Sequence, residues 1–244
     1  SADLVRTLIV LPTFNEADNI VEVLQKLRAV VPEASVLVVD DASPDGTADL
    51  VEEVAEQIGD VSVMRRPAKS GLGSAYRDGF RRGLSVGYDV MVEMDSDLSH
   101  DPAALPLLLT AVADGAALAL GSRYIPGGSI PDWSWHRRAL SRWGNRYAAA
   151  VLGIDVKDAT SGYRAYRAEA LTNLDFHTVQ ADGYGFQVEM AYRVLASGGR
   201  IVEVPISFTD RVRGESKMSS RIVIEALVLV TWWAIRDRLL RIRR

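Results

Sequence analysis

Short apolar runs of strand length alternate with segments of helical period through the first half of the chain. Residues 8–11 are uniformly apolar and stop at Pro12, the pattern of a buried strand. Residues 17–30 then place Ile20, Val23, Leu24 and Leu27 on one helical face. The rhythm continues: strands are expected at 36–39, 61–64, 90–94 and 117–120, and helices at 45–58, 74–86 and 103–113. Acidic residues fall early in the 45–58 helix, where the helix dipole favours them, and Asp101-Pro102 offers a cap and first turn to the helix at 103–113. This β-α-β-α order predicts an α/β fold, a doubly wound, mostly parallel sheet with helices on both faces.

The second half is less regular. Residues 124–133 read as loop, 134–152 and 183–197 as helices. Residues 201–208 are strand-like but contain Pro205, which suits a sheet edge. Residues 209–218 form a polar, basic loop, and 219–243 have the strongest helical character of the chain. The apolar run within that last segment, 222–235, has 14 residues and includes Glu225. That is short of the roughly 20 residues a spanning helix needs.

Composition narrows the chemistry. Of 244 residues, 48% are apolar and 25% charged, enough to bury a core and too apolar for disorder. No Cys is present, which excludes disulfides, thiolate zinc sites and a cysteine nucleophile, and His100, His136 and His177 make no zinc-binding spacing. The N-terminus has neither a signal-peptide apolar region nor an initiator Met, so the chain reads as processed or as a domain of a longer polypeptide. A net charge of −4 argues against a general nucleic-acid binder. The charge is uneven, however. Residues 211–244 hold nine Lys/Arg against three Asp/Glu, a net of +6, while the other 210 residues hold 19 against 29. An acidic body with a basic tail suggests a tail that meets an anionic surface.

Ligands of open α/β sheets sit at the carboxyl ends of the strands, and the polar clusters fall there. The first strand runs into Pro12-Thr13-Phe14-Asn15-Glu16, the second into Asp40-Asp41, and the strand at 90–94 into Asp95-Ser96-Asp97. The D-x-D pair can reach a hard cation such as Mg²⁺ or Mn²⁺, which binds through one or two carboxylates plus ligand phosphates. An isolated D-x-D is more often a pair of solvated loop aspartates, and the apolar strand and the other acidic strand ends tip this one toward a metal. Asp40-Asp41 reads either as a charge pair for the following helix or as a hydrogen-bonding partner of a ribose or base. Glu16 could equally be a helix-capping residue. The stretch from Lys69 to Tyr76 fails as a dinucleotide fingerprint and as a phosphate-binding loop, and is read as a tight turn into a helix with Lys69 near a phosphate or base.

All five Trp lie in two places, residues 133–147 and Trp232-Trp233, and the first carries Arg137, Arg138, Arg142 and Arg146 as well. Aromatic-basic mixing suits single-stranded nucleic acid, a lipid phosphate at a membrane interface, or an ordinary amphipathic helix. The apolar run with its Trp pair, followed by Arg236, Arg238, Arg241, Arg243 and Arg244, favours a helix lying on an anionic leaflet. The alternative is a C-terminal helix docked on the protein or a partner.

Taken together, these residues resemble the family 2 glycosyltransferases, and within them the dolichyl- or polyprenyl-phosphate mannose synthases. The Pro12–Glu16 motif, Asp40-Asp41 with Ser43-Pro44-Asp45-Gly46-Thr47, Asp95-Ser96-Asp97, Gly121-Ser122-Arg123, Thr160-Ser161-Gly162-Tyr163-Arg164 and Arg211…Lys217 occur in the family's order, over about residues 6–218. The resemblance implies a GT-A domain over 1–218, an acceptor region at 123–147, a donor-closing loop at 209–218 and a membrane-surface helix over 219–244. Pro12, Phe14, Glu16, Val39 and Asp41 look like the nucleoside pocket, and Asp95, Ser96 and Asp97 like the site of a metal-bound diphosphate. Arg211 and Lys217 look like diphosphate clamps, and Arg123, Arg137 and Ser141 like the holders of an acceptor phosphate. The family often has Tyr at Phe14 and a metal-ligating Gln at Ser99.

The implied reaction is inverting transfer of mannose from GDP-mannose to a polyprenyl monophosphate, aided by Mg²⁺ or Mn²⁺. The implied place is peripheral, on the cytoplasmic face of a membrane, without transmembrane hairpins and with room for a fused or partner membrane domain. Sugar choice is not legible in these motifs, so a glucosyltransferase using a UDP-sugar is the alternative. The rival from another class is a non-catalytic nucleotide-sugar-binding module of a larger protein.

Overall fold

The computed structural model describes residues 5–210, 228–233 and 235. Seven strands, β1 (Thr7–Thr13), β2 (Ser35–Asp40), β3 (Val61–Arg65), β4 (Val90–Glu93), β5 (Leu118–Ser122), β6 (Arg164–Arg167) and β7 (Ile201–Pro205), form one sheet in the order β3-β2-β1-β4-β6-β5-β7. Helices α1 (Ala17–Val30), α2 (Thr47–Ile58), α3 (Leu72–Val86), α4 (Leu105–Ala113), α5 (Trp135–Leu152), α6 (Ala168–Asn173) and α7 (Gly183–Ala196) follow the strands in sequence. Residues 228–233 and 235 are helical as well; the rest of the segment expected as a helix at 219–243 lies outside the described residues.

The sheet is parallel except at β6, which runs antiparallel to both β4 and β5. The strands β1, β2, β4 and β5 are covered on both faces, so they read as apolar runs rather than alternations. Along β1, Leu8 and Val10 join one core with Tyr76, Phe80 and Phe186, while Ile9 and Leu11 join the opposite core with Ile20, Leu24 and Leu105. β7 lies at the sheet edge and ends at Pro205, as the proline predicts.

Two departures from the sequence expectations bear on the site. The Asp45–Ile58 segment becomes helical only at Thr47, because Asp45 is used as a tie between helices, described below. β6 and α6 are additions. β6 is four residues long and carries two arginines, so it shows no apolar run. Arg164, on β6, is fully buried, and its guanidinium donates to the carbonyls of Ser161, Ala159 and Gln187 at 2.7–2.8 Å. A buried arginine is tolerable only when so satisfied, and here it braces the loop before β6 against α7. β1 lies between β2 and β4, so the winding direction reverses there, and the crevice outside the carboxyl ends of β1 and β4 is the expected ligand site.

Candidate active site

At the carboxyl end of β1 the chain leaves the sheet through Phe14 and Asn15, the latter with φ of +59°. This turn is held from the β2–α2 loop. Ser43 Oγ accepts the Asn15 N–H at 3.0 Å, Thr47 Oγ1 accepts the Glu16 N–H at 3.1 Å, and Asp45 accepts the Ala17 N–H at 3.1 Å. Burial alone would raise the Asp45 carboxyl, but the Thr47 hydroxyl and the N–H groups of Ala17 and Thr47 outweigh it and hold the pKa below its ordinary value. The Ser43–Thr47 motif is thus a clasp that fixes one wall of the site.

The Asp40-Asp41 pair divides its work. Asp40 accepts from Thr13 Oγ1 and from the Ser43 hydroxyl and N–H, all within 2.6–2.9 Å, and so closes the turn. Asp41 turns the other way, to Arg66 at 2.7 Å and the Ser70 N–H at 3.1 Å. That contact draws the loop after β3 across the site and sets the Lys69 ammonium 4.1 Å from the centre of the Phe14 ring.

At the end of β4, Ser96 donates to the Pro12 carbonyl at 2.8 Å, tying the D-x-D turn to β1. Asp97 is buried, and its Oδ1 accepts both the N–H and the hydroxyl of Ser99. Asp95 is more open, its side chain 31% exposed. Nδ1 of His100 faces the Asp95 N–H at 3.4 Å, its ring packed between Tyr163 and Phe208. Burial pushes His100 down to about 4 against the pull of Asp97, so the imidazole is neutral at pH 7. Behind this turn burial raises the Glu93 carboxyl to about 7, while Arg164 pulls it back.

The third wall is cationic and aromatic. Arg123 makes a paired salt bridge to Asp158, both bonds 2.7 Å, and donates to Thr160 Oγ1 at 2.9 Å. Desolvation would lower its pKa, but the Asp158 carboxylate overcomes this and raises it. The guanidinium lies beside the rings of Tyr124, Trp133 and Phe208 at 5.4–5.5 Å. Arg137, on α5, stacks 3.9 Å over the Trp133 ring and meets Asp210 at 3.1 Å. Ser141, one turn further along α5, accepts the Tyr124 hydroxyl at 2.6 Å.

These walls enclose a cavity of about 820 Å³. Pro12, Phe14, Glu16, Asp41, Asp95, Ser96, Asp97, Arg123 and Arg137 line it, so nine of the residues singled out from sequence converge. Val39 instead packs in the core, Ser99 is buried against Asp97, and Ser141 stands behind Tyr124. Arg211 and Lys217 lie outside the described residues. Sequence reasoning missed His100, Trp133 as a wall, Asp158 and Asp210, and also Asp182 and Tyr184, which line the cavity from the start of α7. Of these, Trp133 and Asp210 fall inside the expected acceptor region and loop, and Asp158 lies two residues before Thr160-Ser161-Gly162, so each carried a signal in its nearness to a recognised segment.

Among the described residues no cluster of three or more His, Cys, Asp or Glu side chains could cage a metal. The Asp95 and Asp97 carboxylates on the cavity wall are hard oxygen donors, which fit a divalent cation whose remaining oxygens come from a ligand diphosphate.

Residues 8–174 match the family described as Glycosyl transferase family 2. A polyprenol monophosphomannose synthase of Mycolicibacterium smegmatis is 48% identical over 239 residues, covering 98% of this chain and 90% of its own. An undecaprenyl-phosphate mannosyltransferase of Micrococcus luteus is 50% identical over 233 residues, covering 96% of each. Among solved structures, a mannosyltransferase of Pyrobaculum calidifontis in complex with GDP-Man and Mn²⁺ superposes with a TM-score of 0.66 at 22% identity, covering 95% of this chain and 64% of its own. At that identity the likeness speaks for the fold.

Proposed function

The chain belongs to glycosyl transferase family 2 and is a glycosyltransferase, and from that premise we propose that it transfers mannose from GDP-mannose to the phosphate of a polyprenyl monophosphate. The observation that carries this reading is a single cavity with an acidic end at Asp95 and Asp97 and a guanidinium-aromatic end at Arg123, Arg137 and Trp133. The first suits a metal-bound diphosphate and the second a phosphate monoester. The names of the two bacterial relatives support the choice of sugar and of lipid.

The guanosine lies along Phe14, Glu16 and Asp41, with Lys69 over the Phe14 ring. Asp95 and Asp97 would hold the divalent cation, Mg²⁺ or Mn²⁺, which would supply charge neutralisation on the departing diphosphate. Ser99 fixes one Asp97 oxygen and so aims the other, a positioning role consistent with its hydroxyl contact. Arg211 and Lys217, outside the described residues, keep the role their sequence motif implies, as clamps on the diphosphate. The acceptor is an anion at neutral pH, because its second pKa is about 6. It needs no base to activate it, and neutral His100 faces the Asp95 backbone rather than an acceptor. Arg137 and the Arg123 face bring the phosphate oxygen in line with the anomeric carbon and offset the repulsion of two anions. That oxygen forms the new bond to the anomeric carbon as the bond to the β-phosphate oxygen breaks. The electron pair leaves on GDP and the configuration inverts.

The lipid tail requires the mouth of the cavity to meet a bilayer. Trp135, Leu140 and Trp143 on α5 and Val228, Trp232 and Ile235 on the C-terminal helical segment are all more than half exposed. The Tyr147 hydroxyl and Thr231 Oγ1 lie 2.8 Å apart, so the two helices adjoin, and Leu229 borders the cavity. No helix among the described residues is long and apolar enough to cross a membrane. The reading is therefore peripheral attachment through this face, aided by the basic end of the chain. The test is transfer of labelled mannose from GDP-mannose to polyprenyl phosphate in the presence and absence of a chelator. Label should enter the lipid phase and stop on chelation; labelling indifferent to chelation would contradict the metal assignment.

A further inference from the structure

The cations at the acceptor end of the cavity have carboxylate partners of two different kinds. Asp158, the partner of Arg123, is fully buried and takes three bonds from it, two from the guanidinium and one from the backbone N–H. No ligand can replace it without opening the core. Asp210, a carboxylate partner of Arg137, has a side chain 48% exposed, and the Arg137 side chain is 33% exposed. A single oxygen, Asp210 Oδ1, accepts both the Trp133 indole N–H at 2.9 Å and the Arg137 Nη1 at 3.1 Å. Two donors from one turn of chain thus converge on one anionic oxygen, in a cavity lined by all three residues. The Arg137 guanidinium stacked 3.9 Å over the Trp133 ring keeps the pair of donors aligned. The Asp210 backbone is anchored separately, its N–H donating to Asp132 Oδ2 at 3.1 Å. Its carboxylate can therefore leave the seat by side-chain rotation alone.

We propose that Asp210 is an exchangeable counter-anion, holding the place of an acceptor phosphate oxygen on Trp133 and Arg137 until a phosphate monoester displaces it. This deepens the functional reading above and rests on its placement of the acceptor phosphate at Arg137. The exchange keeps both donors satisfied and oriented in the empty site, at the cost of competing with the acceptor. It also makes the seat selective. A dianionic phosphate monoester outbids one carboxylate for two donors, whereas a neutral polyprenol does not.

The test uses Asp210→Asn, which keeps an acceptor oxygen for Trp133 but removes the charge. A short, soluble isoprenyl phosphate serves as acceptor, and the folded state is checked by thermal unfolding. The acceptor KM should fall about two- to fivefold, the worth of a partly exposed ion pair, with the GDP-mannose KM unchanged. In an Arg137→Ala background the substitution should lose this effect, because the exchange runs through Arg137. An unchanged or raised acceptor KM in folded Asp210→Asn would overturn the proposal, as would a fall that persists without Arg137. Arg137→Ala alone should raise the acceptor KM. If it does not, the acceptor placement itself fails, which separates that failure from failure of the exchange.

Discussion

Two arginines facing one cavity differ in how much their partners matter. Asp158→Ala would strand the buried Arg123 charge, and breaking a buried pair costs about 3–5 kcal/mol. Asp210→Ala, at a half-exposed pair, should cost about 1 kcal/mol or less. Urea unfolding of the two variants checks this, and equal midpoints would contradict the burial argument. Gly71 is another sharp case. Its φ is +92°, a conformation that strains any residue with a Cβ, and a Cβ there would also crowd the Asp182 carboxylate. Gly71→Ala should destabilise the chain and displace the loop carrying Lys69, seen as weaker GDP binding. Asp45 gives the pH dependence. Its pKa is lowered in the folded state, so its contribution to stability is present at neutral pH and is lost as pH falls through the lowered value. The stability gap between the protein and Asp45→Asn should therefore be widest near pH 7 and close on acidification; a gap that widens in acid would reverse the assignment. At this scale the sequence showed which residues matter better than what they do. The Ser43–Thr47 motif was visible, but its clasp on the β1–α1 turn needs chain brought together across 28–31 positions.

In the first half β1, β2, β4 and β5 were legible because they are buried on both faces and stop at polar strand ends, whereas β3, at the sheet edge, is only partly buried. β6 was hidden for the opposite reason. Its burial is achieved by an arginine satisfied through backbone carbonyls, a solution with no apolar signature. α5 was read correctly as a helix, and its aromatic-basic content left three partners open. The structure sets α5 beside the C-terminal helical segment, with exposed aromatic side chains on both, an arrangement that supports the proposed membrane face. Replacing Trp135 and Trp143 together by Ala should weaken binding to liposomes several-fold while leaving turnover of a soluble short-chain acceptor near that of the parent. Cosedimentation checks the first half, and undiminished binding would remove α5 from the membrane face. The segment around Arg211 and Lys217 and the proposed boundary at 218–219 fall outside the described residues, so those expectations still rest on the sequence alone.

For the whole molecule, charge and topology act together. The sheet reversal at β1 and β4 gathers the acidic strand ends into one crevice, while the net +6 of residues 211–244 offsets an otherwise acidic chain. Each basic residue near an anionic leaflet adds about 1 kcal/mol, screened by salt. Attachment to anionic vesicles should accordingly weaken as salt rises, leaving the apolar part; salt-independent, equal binding to neutral and anionic vesicles would contradict the electrostatic share. The central claim is the transfer itself. The most direct measurement presents the purified protein, a divalent cation and a polyprenyl phosphate with labelled GDP-mannose and, separately, labelled UDP-glucose. Label should reach the lipid from GDP-mannose, in a product whose mannosyl phosphate is β-linked, and little should come from UDP-glucose. Efficient labelling from UDP-glucose alone, or donor binding with no transfer to any polyprenyl phosphate, would contradict the account.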